Sequence, residues 1–359
     1  MKIYYLYPTP RIKILKQVEN NKAPDTLLYG ANHLAKMSHQ IIFNDQNSIG
    51  VMILYWLFLP LDYLFYKSIG LGFKLNLIIP QIIKINKTDA VITTVDSVGL
   101  PTLFLKLTGL IRVPIIYIST DLINRINEKN VIKLKVLKYL FSKCEFVVCH
   151  SIQEKKDFIQ KLNFKKNRVY FIPAGGDPDF FKPSGKIRSK YILFVGRDRS
   201  RDTDKIVELA KILNNVKFVM ILSKKLFFKV PNLPNIKKYS ELSFLRLKHL
   251  YITAQALVLP LYELNKAEAQ LVVLDSLLMK LPVIVSPVTG IKDTYGLINN
   301  RELTYATTIK SFSDKTRIIL KNRKNVNKMV ELGRKKVLNN FTTKHYADKL
   351  NNILMSLTG

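Results

Sequence analysis

A polar loop after one apolar run carries residue types that bind phosphate. Residues 191–195 are predicted to form a buried strand, and the loop 196–201, with three arginines, follows directly. Helical spacing resumes after the loop, with Thr203 or Asp204 as the expected N-cap. Free backbone N–H groups, a helix dipole and arginine side chains at such a turn suit a diphosphate. The loop is not a Walker loop, since the Gly-Lys-Ser/Thr ending is missing. The alternative is an ordinary surface loop with exposed arginines.

A carboxylate inside an apolar helix is the second candidate for chemistry. The stretch 270–278 has helical spacing, and Pro282 then opens a buried strand. Asp275 lies among leucines, and a helix rarely buries such a charge without a partner. One carboxylate can accept hydrogen bonds from both hydroxyls of a ribose. Glu268 and Gln270 lie near the start of the helix, where backbone N–H groups point at a ligand.

A third segment joins a strand to a turn. The strand at 169–172 leads into a turn with Gly175 and Gly176, followed by Asp177 and the apolar pair Phe180-Phe181. We expect the two glycines to adopt a backbone conformation that other residues adopt only at a cost.

Short apolar runs recur along the chain and alternate with longer amphipathic stretches. This alternation predicts parallel sheets covered by helices on both faces. The pattern starts afresh at Tyr191, which predicts two doubly wound domains. The expected strands are residues 2–7, 90–93, 114–118, 145–149, 169–172, 191–195, 216–222, 256–260 and 282–286.

Composition excludes several classes of protein. The 359 residues include 57 Lys+Arg against 26 Asp+Glu, a formal net charge of +31, and 48% are hydrophobic. This apolar fraction excludes a disordered chain, and the length favours two domains. The positive excess occurs in both halves, with 25 basic and 13 acidic residues in 1–182, and 32 and 13 in 183–359. Such a surface suits lipid headgroups, nucleic acid or a phosphate-bearing substrate. No nucleic-acid-binding motif is present, which argues against that partner.

Cysteine usage and hydropathy bear on location. Cys144 and Cys149 alone exclude a disulfide scaffold and argue against a zinc site, so we expect a reducing, cytoplasmic setting.

The apolar run at the N-terminus is interrupted before it reaches the length of a secretion signal. The apolar stretch 49–65 is shorter than the ~20 residues of a spanning helix. Two interpretations stay open: a buried helix, or an in-plane membrane contact through Tyr55, Trp56, Phe58 and Tyr63.

These segments, taken in order, resemble the GT-B glycosyltransferases, above all the large family-four group. The similarity rests on a strand ending Ile172-Pro-x-Gly-x-Asp177 with a following Phe-x-Pro, on Gly196-Arg197 after a strand, and on an acidic helix running into Pro282-Val-Ile. It covers residues 140–300 well and the N-terminal half in outline. It implies two Rossmann-like domains whose parallel sheets face a central cleft, with a nucleotide-diphosphate sugar bound there.

The resemblance assigns donor-binding roles to three residues. Gly196 and Arg197 match the pair that contacts the diphosphate, and Asp275 takes the place of a ribose-binding Glu. Arginines and a helix N-terminus at the diphosphate imply that neither a metal nor another cofactor is needed.

The resemblance is weaker at four further positions. The family's second acidic residue falls at Ala267 here, so we expect Glu268 or Gln270 to replace it. Arg201 is similar to an arginine after the diphosphate loop in a subgroup with Gly-Gln before the helix. Gly30 resembles the glycine of a loop that faces the phosphates.

The catalytic base has two candidates. Many relatives place a His after the strand equivalent to 114–118, where this chain has Ser119-Thr120-Asp121. Asp96 follows another predicted strand. Asp96 or Asp121 is therefore expected to deprotonate an acceptor hydroxyl, although each is equally explained as a helix cap.

The sequence thus predicts a metal-free glycosyltransferase with three parts. These are an acceptor-binding domain at 1–182, a donor-binding domain at 183–340 and a C-terminal helix at 341–359 that packs back on the first domain. The expected partners are a nucleotide sugar, a glycan or glycolipid acceptor and an anionic membrane surface, with the protein peripheral on the inner face of the cell membrane. The alternatives are a GT-B nucleotide-sugar epimerase or hydrolase and a non-enzymatic nucleic-acid-binding protein.

Overall fold

The computed structural model divides the chain into two compact units. It describes residues 1–44, 49–70, 72–120, 122–123, 131–183, 191–198, 200–264, 267, 269–321 and 323–357. The first unit comprises Met1–Glu19, Leu27–Pro173 and Lys344–Gly359, and the second comprises Asn20–Thr26 and Ala174–Thr343.

The first unit is built on a parallel sheet of six described strands. Their order is β2-β1-β3-β4-β5-β6. Side chains alternate across β1, so that Tyr4 and Leu6 enter one core while Ile3 and Tyr5 enter the other. The strands are β1 Lys2–Leu6, β2 Gln40–Phe43, β3 Ala90–Thr93, β4 Ile115–Ile118, β5 Phe146–Cys149 and β6 Val169–Phe171.

Helices cover both faces of this first sheet. The core that contains Tyr4 and Leu6 is covered by α3 Ile49–Ile69, α4 Leu75–Ile78, α5 Ile82–Ile85, α6 Asp96–Leu107, α7 Val131–Phe141 and α8 Ile152–Lys161. The opposite core is covered by α1 Ile12–Glu19, α2 Ala31–Lys36 and α16 Thr343–Met355. Leu350 and Leu354 of α16 are fully buried there.

The second unit repeats the architecture with its own single core. Its described strands are all parallel, in the order β12-β11-β10-β7-β8-β9. The strands are β7 Tyr191–Gly196, β8 Lys217–Leu222, β9 Ile236–Tyr239, β10 Ala256–Leu259, β11 Val283–Val285 and β12 Thr304–Tyr305. The helices are α9 Thr203–Ile212, α10 Lys224–Lys229, α11 Phe244–Thr253, α12 Gln270–Leu278, α13 Thr289–Tyr295, α14 Ile309–Lys321 and α15 Arg323–Asn340.

The expected fold class of two doubly wound parallel sheets is confirmed. All nine strands that the apolar runs predict are present, with ends that move by no more than one residue. The apolar runs do not predict β2, β9 and β12, which are short strands at the edges of the described sheets. In the described part of the chain, no helix combines the length and apolar character needed to cross a membrane.

The two neighbouring glycines act by their small size. Our expectation of an unusual backbone at Gly175 and Gly176 is wrong, since neither has a positive φ. A Cβ at Gly175 would collide with the backbone carbonyl of Thr342, whereas one at Gly176 would lie 2.7 Å from the terminal Cδ1 of Leu278. The Gly176 N–H also donates to the Phe341 carbonyl at 2.8 Å. The turn therefore lies directly against the backbone that leads into α16.

We predict that Gly175→Ala destabilises the second unit more than Gly176→Ala. The backbone at Thr342 has little room to move, so Gly175→Ala should lower the free energy of unfolding by about 2–3 kcal/mol. Leu278 can change rotamer, so Gly176→Ala should cost about 1 kcal/mol. Urea unfolding of the two variants measures this difference, and an equal loss would contradict the proposed close approach.

Candidate binding site at the carboxyl edge of the second sheet

The strand order of the second sheet reverses at β7. β7 lies between β8 and β10, and the chain leaves β7 toward one side and returns at β10 on the other. Open parallel sheets bind ligands outside the carboxyl ends of the strands at such a reversal. Loop 196–202 and the segment after β10 meet there through an isolated bridge between Arg201 and Leu261.

The described part of loop 196–202 contains one buried and one exposed arginine. Gly196 admits no side chain, because a Cβ would collide with the ring of Phe194. Arg201 is only 6% exposed; its Nε donates to the Val195 carbonyl at 2.9 Å and its Nη1 to Ser200 Oγ at 2.5 Å. Arg197 is exposed. Arg201 thus shapes the loop, and its contact with a diphosphate stays a prediction.

Asp202 begins the helix that follows the loop. Its Oδ1 accepts from the backbone N–H of Lys205 at 2.9 Å and from the Tyr262 hydroxyl at 3.1 Å. Burial raises the pKa of Asp202, but hydrogen bonds and the charge of Lys205 outweigh this and lower the pKa overall. The N-cap of α9 is therefore Asp202, and our assignment to Thr203 or Asp204 is wrong.

The start of α12 has an unusual backbone. Ala269, its N-cap residue, has φ 55° and has no side-chain oxygen to cap the helix. A non-glycine residue in the left-handed region is strained, and such strain concentrates at functional sites. Gln270 is buried and its Nε2 donates to the Gly290 carbonyl at 3.2 Å, which ties α12 to α13. The first turn of α12 is thus held in place without a side-chain cap from its N-cap residue.

Asp275 is a buried carboxylate whose Oδ1 has no hydrogen-bond partner among the described residues. Burial raises its pKa well above the ordinary range, and the charge of Asp177 raises it further. Burial raises the pKa of the Tyr251 hydroxyl well above its ordinary value, the charge of Asp275 raises it further, and the charges of Arg201 and Arg197 lower it. The carboxylate and both arginines therefore act electrostatically on the same hydroxyl.

Two further carboxylates of the second unit are buried. The Asp25 N–H donates to Asp177 Oδ2 at 2.8 Å, and Thr343 Oγ1 donates to Asp25 Oδ2 at 3.0 Å. Asp177 Oδ1 accepts from the N–H groups of Asp179 and Phe180, both at 2.9 Å. Burial, followed by the charge of Asp25, raises the pKa of Asp177 to about 6. Among the described residues, no group of three or more His, Cys, Asp or Glu is arranged to hold a metal ion.

The remaining candidate residues lie in the first unit or outside the described chain. Asp96 is 1% exposed and accepts from the Tyr117 hydroxyl at 2.7 Å and Thr120 Oγ1 at 2.9 Å, so its role as a base stays a prediction. Gly30 has φ 82° at the N-cap of α2, where a Cβ would lie 3.2 Å from Ala347 Cβ. Asp121 and Glu268 lie outside the described residues.

All five remaining candidates belong to the second unit. Gly196, Arg197 and Arg201 follow β7 directly, whereas Gln270 and Asp275 lie on α12, and their joint role at a donor stays a prediction. Three further residues have interactions in this unit that the sequence did not predict. Tyr251 interacts electrostatically with Asp275, the Tyr262 hydroxyl donates to Asp202, and Glu263 Oε2 accepts from the Thr289 N–H at 2.8 Å. The position of Tyr262-Glu263 directly after the predicted strand 256–260 was the available signal.

Known structures share this architecture over the whole chain. A glycosyltransferase from Rickettsia africae aligns with a TM-score of 0.68 at 15% identity, covering 99% of this chain and 98% of that one. HepE from Anabaena, in complex with UDP and glucose, aligns at 0.67 and 11% identity over 99% and 100%. Sucrose-phosphate synthase from Thermosynechococcus elongatus aligns at 0.67 and 13% identity over 100% and 99%.

The GT-B fold of the chain is thereby confirmed. No protein-family model and no curated protein sequence matches the chain.

We predict that Asp275→Asn stabilises the ligand-free protein, and more so at pH 8 than at pH 5. The pKa of Asp275 is higher in the folded chain than in the unfolded one. The contribution of Asp275 to the free energy of unfolding is therefore most favourable at low pH, and it is lost as the pH rises through the folded pKa. Removing the charge should therefore raise the free energy of unfolding by on the order of 1 kcal/mol or more at pH 8. Urea unfolding at both pH values measures the effect.

Asp204→Asn is the matched control, because Asp204 is exposed on α9. It should change stability little at either pH. A gain in the Asp275→Asn variant that is equal at pH 5 and pH 8 would show that its carboxylate is not destabilised by burial.

Proposed function

We propose that this chain is a glycosyltransferase that moves a sugar from a nucleotide-diphosphate sugar to a hydroxyl acceptor. The observation that carries this proposal is Asp275, a buried carboxylate with an oxygen left without a described partner, in the helix that follows β10 in sequence. Such an oxygen costs stability unless something binds it. A ribose hydroxyl is a donor of suitable size and polarity.

The residues around Asp275 fit the rest of such a donor. The first-turn N–H groups of α12 and the Arg197 guanidinium are suited to the negative charge of a diphosphate. Arg201 and Asp202 fix the loop that presents Arg197. On this proposal the diphosphate is neutralised by protein groups alone, without a metal ion.

The structural neighbours support this class of donor. HepE was crystallised with UDP and with UDP-glucose, and other neighbours include α,α-trehalose-6-phosphate synthase from Burkholderia multivorans. The comparisons do not favour the epimerase or hydrolase alternative. We therefore propose a nucleoside diphosphate sugar as the donor and take UDP as the first probe.

Asp275→Ala and Arg197→Lys should weaken the donor site in different ways. Asp275→Ala should weaken UDP binding by about 1–3 kcal/mol, as expected for the loss of hydrogen bonds to a charged group. Arg197→Lys should lose most of the sugar transfer, because an ammonium cannot reproduce a planar guanidinium at a diphosphate. Isothermal titration with UDP, GDP and ADP measures binding, and UDP release from UDP-glucose in EDTA measures turnover.

Arg301→Lys is the control, since Arg301 is an exposed arginine of the same unit. It should keep full binding and turnover. If the folded wild-type chain binds none of the three nucleotides, the proposed donor site is wrong. Turnover that EDTA abolishes and Mn²⁺ restores would contradict the metal-free proposal, and release of free sugar without transfer would favour the hydrolase.

We propose that the acceptor is lipid-linked or part of a cell-surface glycan, and that the first unit binds the membrane surface that holds it.

α3 has two different faces. Phe58, Leu61 and Phe65 pack against the core of the first unit, with the rings of Phe65 and Phe73 stacked at 3.9 Å. Phe58, which we expected at the interface, therefore faces inward.

The other face of α3 is apolar and exposed to solvent. Its side chains, each at least 60% exposed, are Ile53, Trp56, Leu57, Tyr63, Leu64 and Tyr66. Contiguous apolar surface of this kind usually marks an interaction site, and Trp and Tyr favour the boundary between headgroups and acyl chains. Pro60 lies within the helix, which contains Asp62 and Lys67, so the helix is suited to lie on a membrane.

α7 contributes a second exposed stripe on the same side of the first sheet, because α3 and α7 pack against the same core. Ile132, Val136 and Tyr139 recur at helical spacing and are 75%, 45% and 69% exposed. The exposed Lys135 and Lys138 lie between them. Lysines beside apolar side chains suit an anionic membrane surface.

The protein should bind vesicles of phosphatidylglycerol and phosphatidylcholine more strongly as the anionic fraction rises, and less strongly at high salt. Trp56→Ser with Leu57→Ser should weaken this binding, because both side chains are exposed and their loss leaves the core intact. Flotation of the full chain with vesicles, paired with a melting curve, measures both effects.

Ile298→Ser with Ile318→Ser is the matched control, since these exposed side chains belong to the second unit. It should float like the wild type. Well-folded wild-type protein that does not float with anionic vesicles would show that the apolar face of α3 serves another purpose.

A further inference from the structure

A separate cavity of about 450 Å³ lies at the opposite edge of the second sheet. Its walls include the first residues of three strands, Tyr191 of β7, Lys217 of β8 and Ile236 of β9, together with the C-terminal half of α11. The strands are parallel, so these amino ends lie on the edge away from Gly196. The volume falls in the usual range for a small-molecule pocket.

The register of the strands explains which side chains of the sheet face the cavity. Tyr191 pairs with Lys217, Val219 pairs with Lys237, and Tyr239 follows Lys237 by two residues. Alternation along parallel strands therefore turns all five side chains to one face of the sheet. The intervening Lys238 serves the other face, where its Nζ donates to the Phe227 and Val230 carbonyls at 3.1 and 2.7 Å.

Three cationic side chains and one histidine line this cavity without a described acidic partner. Lys217 and Lys237 come from the strands, and Arg246 and His249 come from α11. None of the described residues that line the cavity is Asp or Glu. Unneutralised cations grouped around one small cavity favour an anionic ligand.

Tyr239 lies beside two of these cations. The Lys237 Nζ is 5.5 Å from the centroid of the Tyr239 ring. Burial raises the pKa of Tyr239, but its interactions with Lys237 and Arg246 outweigh this and lower the pKa overall. Both cations therefore act on one hydroxyl, and both would also attract a phosphate placed near it. Tyr191 and Leu250 supply apolar surface beside the cations, and Tyr191 is fixed by its hydrogen bond to the Leu250 carbonyl at 2.8 Å.

We propose that this cavity binds a small soluble molecule that carries a phosphate group. Lys237 and Arg246 contact the phosphate, Lys217 adds charge, and the organic part packs against Tyr191 and Leu250. The site is distinct from the proposed donor site, because it lies on the other edge of the sheet and shares none of its residues. Its test does not depend on the proposed transferase activity.

Lysine acetylation followed by mass spectrometry tests the position of the site. Inorganic pyrophosphate and glucose 6-phosphate should each protect Lys217 and Lys237 in the full chain, whereas glucose should protect neither. Lys211 and Lys225, which are exposed in the same unit, should react equally with and without either probe. Protection should persist in the Asp275→Ala variant, which separates this cavity from the donor site.

Titration calorimetry with glucose 6-phosphate tests the strength of the site. Lys237→Gln with Arg246→Gln should weaken binding by about tenfold or more, the loss expected for charged hydrogen bonds. Lys211→Gln with Lys225→Gln removes the same charge elsewhere and should bind like the wild type. Equal weakening in both double variants, or equal protection of all four lysines, would overturn the proposal. The proposal would also be overturned if neither probe protected any lysine. The charged side chains of β9 would then serve only to keep this edge strand from pairing with another strand.

Discussion

The architecture depends on the parallel direction of every described strand in both sheets. A parallel strand cannot be joined to its neighbour by a tight turn, so each connection crosses a face of the sheet, usually as a helix. Both faces are then covered, and the strands become continuous apolar runs such as Val283–Val285. The same constraint collects all carboxyl ends on one edge, where short loops are free to carry polar groups. Gly196, Arg197 and the start of α12 occupy that edge in the second unit.

Function and stability conflict at this edge. Asp275 lies in a helix whose buried residues are mostly apolar, and burial disfavours its charge. Ala269 is strained, and Asp177 adds repulsion. A chain selected for stability alone would carry an apolar residue at 275 and a glycine at 269. The side-chain hydrogen bonds of Arg201, Asp202 and Gln270 hold the backbone of the loop and of the start of α12 in place. Asp275 and Ala269 are thus unfavourable groups in an otherwise well-bonded part of the unit.

The sequence predicts the interior of each sheet well and its edges poorly. Central strands are buried on both faces and appear as apolar runs, whereas β9 reads Ile-Lys-Lys-Tyr because one side of it has no neighbouring strand. The position of Asp275 in a buried helix was predictable from its surroundings in the sequence. The partners of Arg201, the inward direction of Phe58 and the reason for Gly175 were not, because each depends on a residue distant in the chain or on the exact packing of a side chain.

The position of α16 has a consequence for how the chain is made. This helix follows the whole second unit in sequence, yet its Leu350, Ile353 and Leu354 fill one core of the first unit. During synthesis all six strands of the first sheet, with apolar side chains such as Tyr5 and Ile92, therefore leave the ribosome long before the last of the helices that cover this face. Domains that complete themselves in order of synthesis bury such surface early. Here the first unit must wait for the second, and chaperones have their longest opportunity to bind at the uncovered face of the first sheet.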